Sequence, residues 1–383
     1  MSRPERDPRP VALVTGEVSP YRREPFRLLA DREDVEVLAW GERGAAGEPA
    51  AAGGTQPPAG SAPPTSAGPP GRRTSEAGAA RLVASGRYRA VICGLGGRIA
   101  LPGCYLAARR ARVPFVLWAS LWAHPRSAAH LASYIPTRHL YRDADAVVTY
   151  GPHVSAYVAA RRGGRGGIFE APQAVSVEHF GQSVPTDQVA EARRAARAGD
   201  GGFLALFVGR LVPEKGVLTL LEAWRVTGFR GDASLALAGE GPLRGLVERA
   251  GPSVRGLGGV PRGELPALYA AADVLVLPSE RTATFLEPWG LVVNEAMLQS
   301  TPVIASTDVG AVAGGLVRDG HNGLVCPPAR GQELAARIRT LYNDRVLRHR
   351  LGAAGRVDAL GYTERAWADG MSRALASTGT SRT

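Results

Sequence analysis

The chain has 383 residues, room for two ordinary domains, and 45% apolar against 21% charged residues is the balance of a folded globular protein rather than a disordered one. No run of about 18 apolar residues occurs, and the polar, Pro/Arg-rich start from Met1 to Pro10 has no apolar stretch, so neither a spanning helix nor a secretory leader is expected. A formal charge of +11 and an isoelectric point near 10.2 call for an anionic partner: a nucleotide, a nucleic acid or an acidic membrane surface. Nucleic acid is the weaker of these, because the arginines are scattered, are not interleaved with aromatics, and accompany no zinc spacing or RNA-binding signature. Cys93, Cys104 and Cys326 lie far apart, without metal-ligand spacing, which suits reduced thiols in the cytoplasm.

Val11–Thr15 is a short apolar run closed by Gly16, the pattern of a buried parallel strand. Helix-forming residues over 25–31 follow, then a second strand over 35–39. Within 21–30, Arg22, Arg23 and Arg27 stand against Phe26, Leu28 and Leu29. Such a stretch can meet an anionic membrane or a phosphorylated acceptor, but it is more often the outer face of a core helix. From about 41 to 80 the chain is Gly, Ala, Pro, Ser and Thr, too poor in large apolar side chains to offset ordering entropy, and it reads as a mobile insertion. Strands resume over 90–93, 115–118 and 146–150, with helices over 101–112 and 128–142. A Gly/Arg-rich stretch, 161–167, precedes the run 168–172, and the polar helical segment 182–200 reads as a connection between domains. A second alternation then places strands over 204–208, 235–238, 274–277 and 303–305, each followed by a helical pattern. Alternation of this kind implies parallel sheets with helices on both faces. Two such halves imply two Rossmann-like domains, with ligands at the carboxyl ends of the strands and in the cleft between them.

The residues that carry chemistry follow the strands of the second half. Gly209 closes the strand 204–208, and Arg210 and Lys215 come next. Arg210 can fork onto phosphate oxygens, while Lys215 supplies a compact point charge to the same group. Solvated surface charges are the ordinary alternative, yet the only lysine of the chain falls beside Arg210 at a strand end. Gly239 and Gly241, followed by Pro242, let a ligand approach the backbone, although a turn of this type is commonly structural. The strand 274–277 leads to Glu287-Pro288-Trp289-Gly290 and a helix from about 291 to 299 carrying Asn294 and Glu295. Two carboxylates thus flank a helix start whose Gly290, Leu291 and Val292 amides can receive an anion. Glu287 and Glu295 can reach hydroxyl groups on either side of a phosphate held there. The helix macrodipole alone would account for Glu287, but Glu295 lies among Val292, Val293, Ala296 and Met297, an odd place for a merely solvated acid.

In this order, Gly209-Arg210-Leu211 through Glu214-Lys215-Gly216, Gly239-Glu240-Gly241-Pro242, and the Glu287 to Glu295 pair resemble the GT4 glycosyltransferase family, whose fold is GT-B. Residues 273–279, Gly310 with Ala311, and 322–325 look like the family too, as do 172–180 for its interdomain segment and 362–375 for its terminal helix. The resemblance covers nearly all of 168–375. It implies a first domain over 1–181 that binds an acceptor, a second over 182–360 that binds a nucleotide-sugar, and a helix over 361–378 returning to the first. It implies a retaining enzyme that moves a hexosyl group from a UDP- or GDP-sugar to a glycan, lipid-linked or small-molecule acceptor. The donor is a co-substrate; no permanently bound cofactor and no metal are implied. The location would be cytoplasmic, with peripheral contact at the inner face of the membrane.

Residue by residue, Arg210 and Lys215 would hold the diphosphate and stabilise the departing nucleotide. Glu287 would touch hydroxyls of the transferred sugar, Glu295 would hold the ribose, and the Gly290 and Leu291 amides would assist at the phosphate or sugar. The first half departs further from the family. Gly16 stands alone in Gly16-Glu17-Val18-Ser19 where a glycine pair is frequent, and Gln173-Ala174 replaces a usual Asn-Gly. His124 falls where the family often has a histidine near the transferred sugar; a loop histidine after an aromatic strand is the competing reading. Two rivals share the architecture: a nucleotide-sugar epimerase, and a non-catalytic sugar-nucleotide binding protein. A nicotinamide dehydrogenase is disfavoured, since the first strand lacks a G-x-G-x-x-G turn.

Overall fold

The computed structural model describes residues 7–41, 71–198, 201–229 and 231–381. Its central strands form where apolar runs are covered on both faces: every residue of β1 (Val11–Thr15) is buried, with none of the alternation of a one-sided sheet. With it run β2 (Val35–Ala39), β3 (Gly71–Arg73), β4 (Ala90–Gly94), β5 (Phe115–Ala119), β6 (Ala146–Thr149) and β7 (Ile168–Glu170), all paired in parallel in the order β3-β2-β1-β4-β5-β6-β7. A second parallel sheet holds β8 (Phe203–Val208), β9 (Ala233–Ala238), β10 (Val254–Gly258), β11 (Val274–Leu277), β12 (Val303–Ser306) and β13 (Gly323–Cys326), ordered β10-β9-β8-β11-β12-β13.

Strand order reverses at β1, which lies between β2 and β4, and at β8, which lies between β9 and β11. Connections therefore leave in opposite directions at those points, and a crevice opens beyond the carboxyl ends of the strands. Helices complete each layer. In the second unit Trp224, Phe207, Leu235, Ile304 and Leu341 belong to one buried core.

Among the described residues, the first unit holds 7–41, 71–174 and 363–381, and the second holds 175–198, 201–229 and 231–362. The seam thus falls before residue 181, because the short helix Val177–Phe180 is tied to the second unit. His179 Nε2 lies 3.1 Å from the Arg262 carbonyl oxygen, and Gln299 donates to the Phe180 carbonyl at 2.5 Å. The segment 182–200 is no free connection either: the helix Thr186–Ala195 lies on the second unit, where Arg193 donates to the Ala271 carbonyl at 2.7 Å. The terminal helix Glu364–Ser377 belongs to the first unit, with Trp367 5.5 Å from both Phe26 and Trp118, ring centre to ring centre.

The low-complexity stretch expected over 41–80 falls mostly on 42–70, outside the described residues. Its last part is ordered. Gly71 pairs with Val37 in β2, which needs backbone groups and no large side chain. Ser75 then accepts from the Gly78 amide at 3.0 Å and starts the helix Glu76–Ala84. The strand β10 also lay outside the sequence pattern: it is an edge strand with Gly256 and Gly258 in place of an apolar run.

Candidate active site

Because β8 and β9 pair in register up to Val208 and Ala238, the loops leaving them run side by side. The Gly209 amide donates to the Ala238 carbonyl at 2.9 Å, and the Leu211 amide to the Glu240 carbonyl at 2.8 Å. Gly239 is required by this approach: a Cβ there would overlap the Gly209 carbonyl oxygen. A Cβ at Gly241 would likewise come within 2.5 Å of the Leu211 carbonyl oxygen. The two glycine loops therefore act as one backbone platform at the end of β8 and β9.

Lys215 ends the turn Pro213–Lys215, which Gly216 closes in the left-handed region at φ 71°. A side chain at 216 would overlap the Pro278 carbonyl oxygen, so the glycine lets the lysine turn dock on the loop leaving β11. There Lys215 Nζ donates to Glu287 Oε2, and Ser279 Oγ donates to the same oxygen at 3.1 Å. Lys215 is 8% exposed and Glu287 2%. The Phe285 ring centre is 5.3 Å from the ammonium. The Glu287 backbone is fixed as well, its carbonyl accepting from the Gly310 amide at 3.0 Å. Arg210 is partly exposed and sits 3.5 Å from Glu214. An exposed pair of that kind is worth about 0 to 1 kcal/mol, so the guanidinium can turn to a bound anion at little cost.

Gly290, at φ 92°, caps the helix Leu291–Leu298. Helix starts leave amides without intrahelical acceptors, and this one follows directly on the loop that carries Glu287. Asn294 and Glu295 are buried rather than solvated. Asn294 Oδ1 accepts from Trp289 Nε1 at 2.8 Å, and Glu295 Oε2 accepts from the Tyr269 hydroxyl at 2.6 Å. Burial pushes the Glu295 carboxyl above its ordinary value, and the Tyr269 hydrogen bond and the Arg262 charge oppose this only in part. Burial beside that carboxylate likewise holds the Tyr269 hydroxyl well above its usual range.

The native state therefore binds the Glu295 proton at higher pH than the unfolded chain does. That contribution to stability is present in acid and is lost as pH rises through the folded value. Glu295→Gln keeps an acceptor for Tyr269 without the charge. It should unfold at higher temperature than the natural chain near neutrality, with the gap closing on acidification. A melting series from about pH 4 to pH 8 measures this, and a gap independent of pH would contradict it.

Gly209, Arg210, Lys215, Gly239, Gly241, Glu287, Gly290 and Leu291 lie on the loops that leave the carboxyl ends of β8, β9 and β11, while Glu295 stands further along the helix, bonded to Tyr269. Gly16 and His124 belong to the first unit. The Gly16 carbonyl accepts from the Gly41 amide at 2.5 Å, joining the loops after β1 and β2. His124 Nε2 lies 2.6 Å from the His130 carbonyl oxygen, and its ring meets Tyr134 edge-on at 5.0 Å. The buried Nδ1 of His124 has no partner among the described residues. Ser279 and Tyr269 were not visible in the sequence as site residues. Ser279 had a signal, since it lies in the loop that leaves the carboxyl end of β11; Tyr269, inside the apolar helix Leu265–Ala271, had none.

Two parallel-sheet Rossmann-like units, each with its switch point, make this a protein of the GT-B fold. Residues 188–358 match the family Glycosyl transferases group 1, and the second unit is a domain of that family. The chain is 35% identical over 177 residues to the alpha-D-kanosaminyltransferase of Streptomyces kanamyceticus, which is 43% of this chain and 44% of that one. It is 34% identical over 230 residues to the GDP-mannose-dependent alpha-(1-6)-phosphatidylinositol monomannoside mannosyltransferase of Mycobacterium tuberculosis, covering 56% of this chain and 57% of the other. The chain thus spans about half the length of the curated relatives it matches. Among solved structures, Anabaena HepE in complex with UDP shares the fold with a TM-score of 0.73 at 18% identity, over 96% of this chain and all of HepE.

Proposed function

We propose that the protein is a retaining glycosyltransferase that takes a hexosyl group from a UDP- or GDP-sugar and passes it to a hydroxyl of an acceptor bound by the first unit. The observation that carries this reading is the buried Lys215–Glu287 pair at the β8/β11 switch point, with Arg210 and a helix start beside it. Cleavage of a sugar–phosphate bond builds negative charge on the departing nucleotide diphosphate. Lys215 and the Leu291 amide are held in place for that charge and Arg210 can turn to it, so little reorganisation is needed as it develops. The carboxylate of Glu287 holds Lys215 in place before the donor arrives, and its second oxygen can accept from a sugar hydroxyl. Glu295, the acid that follows on the same loop and helix, would accept from the ribose hydroxyls. Cations of the chain itself carry the leaving-group role, which makes the proposed transfer independent of metal. Attack from the leaving-group face then retains the anomeric configuration.

The relatives favour this reading: one is named a kanosaminyltransferase, another a GDP-mannose-dependent mannosyltransferase, and HepE was solved with UDP-glucose. No helix among the described residues is long and apolar enough to cross a membrane. The test is to incubate the purified chain with panels of UDP- and GDP-sugars, with and without hydroxylated acceptors. Nucleotide release with retained anomeric configuration, stimulated by an acceptor, is the expected result. Accumulation of an epimer of the donor without any acceptor would overturn it in favour of an epimerase, and binding without turnover in favour of a non-catalytic module.

A further inference from the structure

The first unit contains a guanidinium with no acid beside it among the described residues. Arg22 ends the turn Pro20–Arg22, which leads from β1 into the helix Arg23–Glu33. Its Cζ lies 4.2 Å from the ring centre of Trp118 on β5 and 5.6 Å from that of Tyr21. One amino group donates to the hydroxyl of Tyr150, which follows β6, at 2.8 Å. Among the described residues no carboxylate lies within 4.0 Å of it, whereas Arg27 and Arg32 on the adjoining helix are paired with Glu24, Asp31 and Asp369.

Among the described residues the five N–H donors of Arg22 meet the hydroxyls of Tyr150 and Tyr21 and no charged acceptor. Trp118, the floor beneath, is 4% exposed, and its Nε1–H also lacks an acceptor among the described residues. Arg22 itself remains partly exposed, so a ligand can reach it. A cation laid on an apolar floor loses part of its hydration without the compensation of a counter-ion. A planar fork with parallel donors is the shape that recognises a carboxylate or phosphate through two bonds. Stacking on Trp118 explains the position of the guanidinium but supplies no counter-charge for it.

We propose that Arg22 is the seat of an oxyanion site in the first unit, and that the acceptor carries a phosphate or carboxylate which this site grips. The assignment to an acceptor rests on the proposed glycosyltransferase reading; the anion site does not.

The experiment is calorimetric titration of the full chain, with UDP and GDP present to fill the phosphate-binding residues of the second unit. Inorganic phosphate and glucuronate are the probes, with methyl glucoside as the neutral control. Phosphate or glucuronate should bind the natural chain, and Arg22→Met should weaken binding at least about tenfold, equivalent to about 1.4 kcal/mol. Arg22→Lys keeps the charge but not the fork. It should lose several-fold, and it serves as the readout if the methionine variant does not fold. Methyl glucoside should show no dependence on residue 22. Equal oxyanion binding by the natural chain and both variants, or none by the natural chain, would overturn the proposal. Donor cleavage, with and without uncharged hydroxylated acceptors, is measured alongside. Arg22-dependent binding without any cleavage would sink the transferase reading and leave the anion site standing, while normal cleavage in Arg22→Met with lost oxyanion binding supports both.

Discussion

Lys215→Met is expected to lower kcat at saturating donor by about 100-fold or more, on the order of 2.7 kcal/mol of transition-state stabilisation. The size follows from where the ammonium sits. It is buried beside Glu287 and held by the Gly216 turn on the loop after β11, so no water takes its place cheaply when it is removed. The same substitution has a second cost. Glu287 would be left as a buried carboxylate without the ammonium, the Ser279 hydroxyl still donating to it, and breaking a buried pair costs about 3 to 5 kcal/mol. Loss of activity could then reflect loss of fold, and the double variant Lys215→Met/Glu287→Gln separates the two. With neither charge present it should regain most of the stability, since the two penalties are not additive across one contact. Its turnover should stay low. Denaturation midpoints and kcat measured on the natural chain and the two variants decide the matter: activity that recovers together with stability would make Lys215 a structural residue only.

The second unit was the more legible half because its chemistry is written in backbone constraints. Gly239 is demanded by the Gly209 carbonyl and Gly216 by the Pro278 carbonyl, and such positions leave a glycine in the sequence whatever surrounds them. The strands were legible for the opposite reason: buried on both faces, they are continuous apolar runs, as in β8 and β11. Where a strand lies at a sheet edge that signal disappears, and β3, with all three residues exposed, and β10 were not foreseen. The pairing of Lys215 with Glu287 was not legible either. The two stand far apart in the chain, and only the parallel contact of β8 with β11 brings their loops together. The sequence suggested Lys215 and Glu287 as separate contacts to one ligand, whereas the structure adds that each holds the other. Glu295 was suspected from its apolar neighbours, but its partner Tyr269 comes from another helix and left no trace. Arg22 read as one of three arginines on an outer helix face; its stacking on Trp118 depends on β5 lying beneath that turn.

The largest loss of stability in the first unit is expected from Arg89→Met, about 3 to 5 kcal/mol. Arg89 looks like an ordinary loop arginine before β4, yet its side chain is 1% exposed and that of Glu33 is fully buried. Its guanidinium donates to the carbonyls of Glu33 at 2.5 Å, Arg9 at 2.6 Å and Thr380 at 2.8 Å, with a Glu33 carboxylate oxygen at 3.3 Å. Glu33 in turn accepts from the Ser381 hydroxyl at 2.7 Å. One cation thereby ties the segment before β1, the end of the helix Arg23–Glu33 and the residues after the terminal helix. Methionine fills much of the same space but leaves the acid without its charge partner and removes the donor shared by three carbonyls, so the cost exceeds that of packing alone. Arg89→Met/Glu33→Gln should be less destabilised than the sum of its single changes. Denaturant unfolding followed by two probes, one for each unit, is the measurement, because a two-unit chain need not melt in a single step. The transition of the first unit should shift to lower denaturant while nucleotide affinity of the folded variant stays within about twofold, since the donor-binding residues proposed here belong to the second unit. An unchanged first transition would show that these four ties contribute little beyond the surrounding core.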